Sequence, residues 1–114
     1  MTTTTIRVRD KAGDVVDKAV RCHKTKCDAL VAHREIDTHT GEQRSRPIRS
    51  YAPWVVSHVA TGYQVAKLHT LAECKRFAEL MKDEDWSFTS ARSPKIRKLV
   101  PARSSALIQI SNAR

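Results

Sequence analysis

At 114 residues the chain has room for one domain and one core, and its 40% hydrophobic and 29% charged content excludes wholesale disorder. No apolar run approaches the length needed to cross a bilayer, and Met1 with Thr2 to Thr5 lacks the apolar stretch of a signal peptide, so the expectation is a cytoplasmic protein with no membrane partner. The formal net charge of +9 favours anionic partners.

The charge is unevenly spread. Residues 1–27 hold seven Lys/Arg against three Asp, residues 28–86 hold eight against nine acids, and residues 87–114 hold six against none. This divides the chain into a basic, partly structured N-terminal arm (1–27), a nearly neutral core domain (28–86) and a basic C-terminal extension (87–114). The three cysteines, Cys22, Cys27 and Cys74, are an odd number in a chain with no export signal, which favours reduced thiols over a disulfide framework.

In chain order, Ile6-Arg7-Val8-Arg9 alternates as a strand does. Residues 14–20 fit a short helix capped by Asp14 slightly better than a second strand after the Gly13 turn. Residues 30–36 have the length and apolar content of a strand. The polar stretch 37–50, with Gly41 and Pro47, marks a long connection, and it carries Arg44, Arg46 and Arg49. Residues 54–60 and 63–68 form the clearest hairpin, rich in β-branched and aromatic residues around a Thr61-Gly62 turn, where glycine supplies positive φ.

Thr70-Leu71-Ala72-Glu73 is a capping-box pattern that predicts a helix starting at Leu71 and ending near Lys82. Leu71, Cys74, Phe77, Ala78 and Met81 recur at spacings of three and four, giving that helix an apolar face to lay on the sheet. Trp86 and Phe88 are expected to fold back as anchors. From Ser87 to Ser105 the composition turns to Ser, Arg, Lys and Pro, with Pro94 and Pro101 opposing regular structure, before a last strand-like run at 106–110. The expected fold is therefore α+β: a small antiparallel three-stranded sheet (30–36, 54–60, 63–68) packed by one helix (71–82), with basic flanking arms.

The residues Trp54-Val55-Val56-Ser57-His58-Val59, Thr61-Gly62, Val65, Leu68, Thr70, Glu73 and Phe77-Ala78 are laid out in a way that resembles two families. These are the three-stranded DNA-binding domains of plant ethylene-response factors and the arm-binding domains of phage integrases. The resemblance covers about half the chain and implies a sheet face that presents side chains to the major groove. The sequence departs from the pattern in having only Arg34, His58 and Lys67 on these strands, and Cys74 where alanine is frequent.

Catalytic signatures are absent: there is no nucleophile elbow, no phosphate-cradling glycine-rich loop and no His-Glu-x-x-His segment, so no enzyme is expected and no cofactor is called for. Cys22, His23 and Cys27, with His33 and His39 downstream, are zinc-type ligands, but a lone Cys-x4-Cys without a second pair does not match a structural site. The expectation that remains is a small non-catalytic module binding DNA or RNA through phosphates. Arg92, Lys95, Arg97, Lys98 and Arg103 carry it, assisted by Arg44, Arg46 and Arg49. The alternative is an inhibitor or accessory protein of phage or mobile-element type that docks its basic arms on a larger protein.

Overall fold

The computed structural model describes residues 2–9, 15–34, 54–90 and 92–114. It is an α+β fold. Five antiparallel strands follow one another in sheet order: β1 (Thr2–Arg9), β2 (Val15–Lys24), β3 (Leu30–Arg34), β4 (Trp54–His58) and β5 (Gln64–Leu68). Three helices follow: α1 (Leu71–Leu80), α2 (Lys95–Lys98) and α3 (Val100–Asn112).

The three expected strands are present, and two more extend the sheet. β1 pairs with β2 from Thr2↔Cys22 to Arg9↔Val15, and β2 joins β3 through His23↔Ala32 and Lys24↔Val31. Residues 15–20, expected as a helix, are thus strand. An eight-pair backbone ladder and the β-branched Val15, Val16 and Val20 outweigh one aspartate at a cap position.

The β4–β5 hairpin turns as expected. Gly62 has φ 73°, and the His58 and Tyr63 backbones close the loop with a 2.9 Å hydrogen bond. Val56 pairs with Ala66 while Ser57 pairs with Gln64, so Val65 is the extra residue of a β-bulge.

α1 begins with the expected capping box. The Thr70 hydroxyl accepts from the Glu73 amide at 3.1 Å, and a Glu73 carboxylate oxygen accepts from the His69 amide at 3.0 Å. Cys74, Phe77, Ala78 and Met81 are fully buried against the sheet with Ala32, Val56, Val65, Ala66 and Leu68. Trp86 and Phe88 do fold back: both are buried in this core, and the Trp86 indole N–H donates to the Met81 carbonyl at 2.8 Å.

Residues 106–110, expected as a strand, belong instead to α3. Leu99, Ala106 and Ile110 recur at spacings of seven and four, all are buried, and all join the same core, whereas Ile108 between them is 60% exposed. The period is helical, which five residues in isolation do not reveal. The prolines are compatible with this because of where they fall. Pro94 caps α2 and Pro101 sits in the first turn of α3, positions whose amide has no intrahelical partner to lose. Packing therefore crosses both boundaries that the charge distribution suggested, at residues 27 and 86.

A second cluster lies on the face of the sheet away from α1, where Val20, Cys22 and Val31 are buried together. His33, Val55 and Ser57 occupy that face by register and are no more than 1% exposed.

Candidate nucleic-acid interface

The basic residues expected to form the site have three different fates. Arg44, Arg46 and Arg49 lie outside the described residues. Arg92, Arg97 and Lys98 are exposed, the last two within the single turn of α2. Lys95 and Arg103 are engaged within the chain.

Lys95 Nζ lies 3.3 Å from an Asp85 carboxylate oxygen and donates to the Ser87 hydroxyl at 2.7 Å. Asp85 also accepts from the Ser87 hydroxyl and amide, and these donors together with Lys95 hold its carboxyl down at about 2. Arg103 reaches from α3 to β5, where its Nε–H donates to the Val65 carbonyl at 2.6 Å. Val65 is the bulge residue, so the guanidinium satisfies an acceptor at the point where the strand ladder is irregular. Arg114, at the far end of α3, grips Glu73 with Nε at 2.8 Å and Nη2 at 3.3 Å, and this holds the Glu73 carboxyl below its usual range.

His58 and His33 are likewise structural. His58 is buried with Nε2–H donating to the Trp86 carbonyl at 2.9 Å and Nδ1 facing the Thr61 hydroxyl at 2.8 Å. Its ring stacks against Phe88 with centroids 4.3 Å apart. His33 donates from Nδ1 to the Arg34 carbonyl at 2.7 Å and meets the Ser57 hydroxyl with Nε2 at 2.7 Å. Burial lowers the pKa of both rings, so they stand neutral.

Cys22 and Cys27 lie in different clusters, one on each side of the sheet. Burial raises the Cys27 thiol and pushes Cys74 up to about 12, which keeps both thiols protonated and unreactive. Among the described residues no group of three or more His, Cys, Asp or Glu side chains is placed to hold a metal ion. No described helix is long and apolar enough to cross a membrane.

A basic groove was not among the expected sites. It holds about 480 Å³ between the β2–β3 connection and the outer face of α1, and is lined by Lys24, Thr25, Lys26, Ala72, Lys75, Arg76 and Glu79. The α1 residues fall at spacings of three and four on the side opposite the buried stripe, so the amphipathic pattern that directs Phe77 inward also directs Lys75 and Arg76 outward. Across the groove, the Thr25 hydroxyl lies 2.8 Å from both the Cys27 and Leu30 carbonyls and accepts from the Cys27 amide at 3.2 Å. These contacts pin the turn that carries Lys24 and Lys26.

Glu79 is the sole acid among the described residues lining the groove, and it is met by Lys26 at 3.5 Å with both side chains well exposed. Such a pair is weak and easily exchanged. The electrostatic signature of the groove is seen at its end, where burial and then the Lys75 charge lower the His23 pKa. Among the described lining residues, four cations surround one carboxylate and give the concavity a positive character.

No family model, curated protein or solved structure matches the chain. The groove could have been anticipated only from its α1 half, since a capped helix with Lys75 and Arg76 on its polar face is legible in sequence. Lys24 and Lys26 lie some fifty residues away, and nothing local links them to it.

Proposed function

We propose that this chain is a non-catalytic nucleic-acid-binding module that holds phosphates in the groove between the β2–β3 connection and α1. The observation that carries the reading is the lining itself: Lys24, Lys26, Lys75 and Arg76 converge from two distant segments on one cleft. Neutralising phosphates in this cleft releases condensed counterions, which favours binding at low salt. Arg92, Arg97 and Lys98, exposed and free of neighbouring acids in sequence, are available as secondary phosphate contacts. Lys95 and Arg103 serve the fold instead.

Binding of labelled oligonucleotides, followed by anisotropy across a salt series from about 50 to about 200 mM, tests this reading. The native chain should bind at low salt and weaken steeply as salt rises. Lys75→Ala with Arg76→Ala should reduce the slope of log affinity against log salt by about 2, while Lys95→Ala leaves it unchanged. Absence of affinity for any DNA or RNA at low salt, or an unaltered slope in the double variant, would sink the proposal.

A further inference from the structure

We infer that the groove takes a single strand, with an unpaired base laid against His23 and Trp54 beside it. This inference rests on the proposed nucleic-acid reading and adds the form of the ligand.

Trp54, His23 and Arg34 make a small platform. The His23 ring meets the Trp54 indole edge-on with centroids 5.7 Å apart, and the Arg34 guanidinium lies 4.7 Å from the indole centroid. Register puts all three on one side of the sheet: Arg34 pairs with Trp54, and His23 pairs with Ala32, whose small side chain leaves room between them. It is the side on which α1 packs, at the end of β4 away from the 58–63 hairpin.

None of the three is fully buried. Trp54 packs part of its indole against the main core cluster, and the indole, the imidazole and the guanidinium all keep some surface open. The Nη1 atom of Arg34 is withdrawn from solvent and has no acceptor among the described residues. A buried guanidinium donor without a partner is costly, so turning Nη1 outward to a base carbonyl or ring nitrogen beside the indole relieves that cost.

The platform adjoins one end of the groove: His23 is the residue before Lys24, the first of the lining residues, and it lies on the α1 side of the sheet within reach of the Lys75 charge. A neutral imidazole beside an indole, next to a row of cations, is the combination that binds single strands: cations follow the phosphates while bases stack on flat side chains. In a duplex the base faces are already stacked on one another and cannot reach the platform. DNA and RNA single strands share the chemistry in question, so both belong in the test.

The native chain is titrated with short oligothymidylate, oligouridylate and a mixed-sequence DNA duplex of equal length, with intrinsic tryptophan emission and oligonucleotide anisotropy recorded together. Trp86 is 8% exposed and inside the core, so quenching reports on Trp54. The expected result is quenching by one or both single strands, loss of that quenching in Trp54→Phe with binding retained, and none from the duplex. His23→Ala should weaken single-strand binding roughly 5- to 150-fold, the loss of one base stack, and leave duplex binding unchanged. Duplex binding as tight as single-strand binding, or binding without quenching, overturns the inference and leaves the phosphate groove standing. Absence of binding to all three ligands overturns both.

Discussion

The acid-free segment 87–114 and the groove between the β2–β3 connection and α1 are both basic, yet their cations do different work. In the first, Lys95 is tied to Asp85 and Ser87, Arg103 to the Val65 carbonyl and Arg114 to Glu73, so half of the six cations fasten that segment to the rest of the fold. In the second, among the described residues, one exposed carboxylate faces four cations. Local excess of charge is therefore a poor guide to available charge. What matters is whether folding brings an acceptor within reach.

The strongest way to break this contrast is to treat 87–114 as a detachable arm. If it were one, Leu99→Ala would change little. Leu99 is 4% exposed and part of the main core, and its truncation should cost about 2 to 5 kcal/mol in urea-induced unfolding. A variant as stable as the native chain would show that the C-terminal helices do not contribute to the core.

The next effect in size concerns the two buried histidines, which tie β3 to β4 and β4 to the Trp86 turn. Their folded pKa values lie below the unfolded value, so the unfolded chain takes up protons that the folded rings refuse. The stability they support is fully present above about pH 6.5 and is lost as pH falls from there towards the depressed folded values, by up to about 1.4 kcal/mol per pH unit for each ring. Unfolding midpoints recorded at about pH 7.5 and about pH 5.5 should show the decline. A flat profile over that window would mean that the rings protonate in place.

The smallest expected effect compares two cations in one segment. Arg103→Ala should lower stability by about 1 kcal/mol, because the bulge carbonyl of Val65 loses its donor, and should leave the salt dependence of nucleic-acid binding intact. Lys98→Ala, at an exposed position, should leave unfolding unchanged within about 0.5 kcal/mol. Equal thermal shifts for the two variants would erase the distinction between fastening and available charge.

The elements most legible in the sequence were those specified by short-range chemistry. Thr70 and Glu73 lie within one helical turn of each other, and Gly62 occupies a turn that needs positive φ, so α1 and the β4–β5 hairpin are encoded within a few residues. The apolar stripe from Cys74 to Met81 follows from helical period alone. By contrast, residues 15–20 and 106–110 are short β-branched or aliphatic runs that suit either element in isolation. β2 was decided by its ladder with β1, and α3 by the burial of Leu99, Ala106 and Ile110 against α1 and the sheet.

Composition fixes the net charge, and the α1 cap and the β4–β5 hairpin follow from chemistry among residues a few bonds apart, which is enough to reveal the α+β class. The groove, the Arg103 clasp on the bulge and the His23–Trp54–Arg34 platform were decided only by tertiary structure. Each joins side chains from segments 20 to about 50 residues apart in the chain, and the free energy that holds them together comes from burying the core between them.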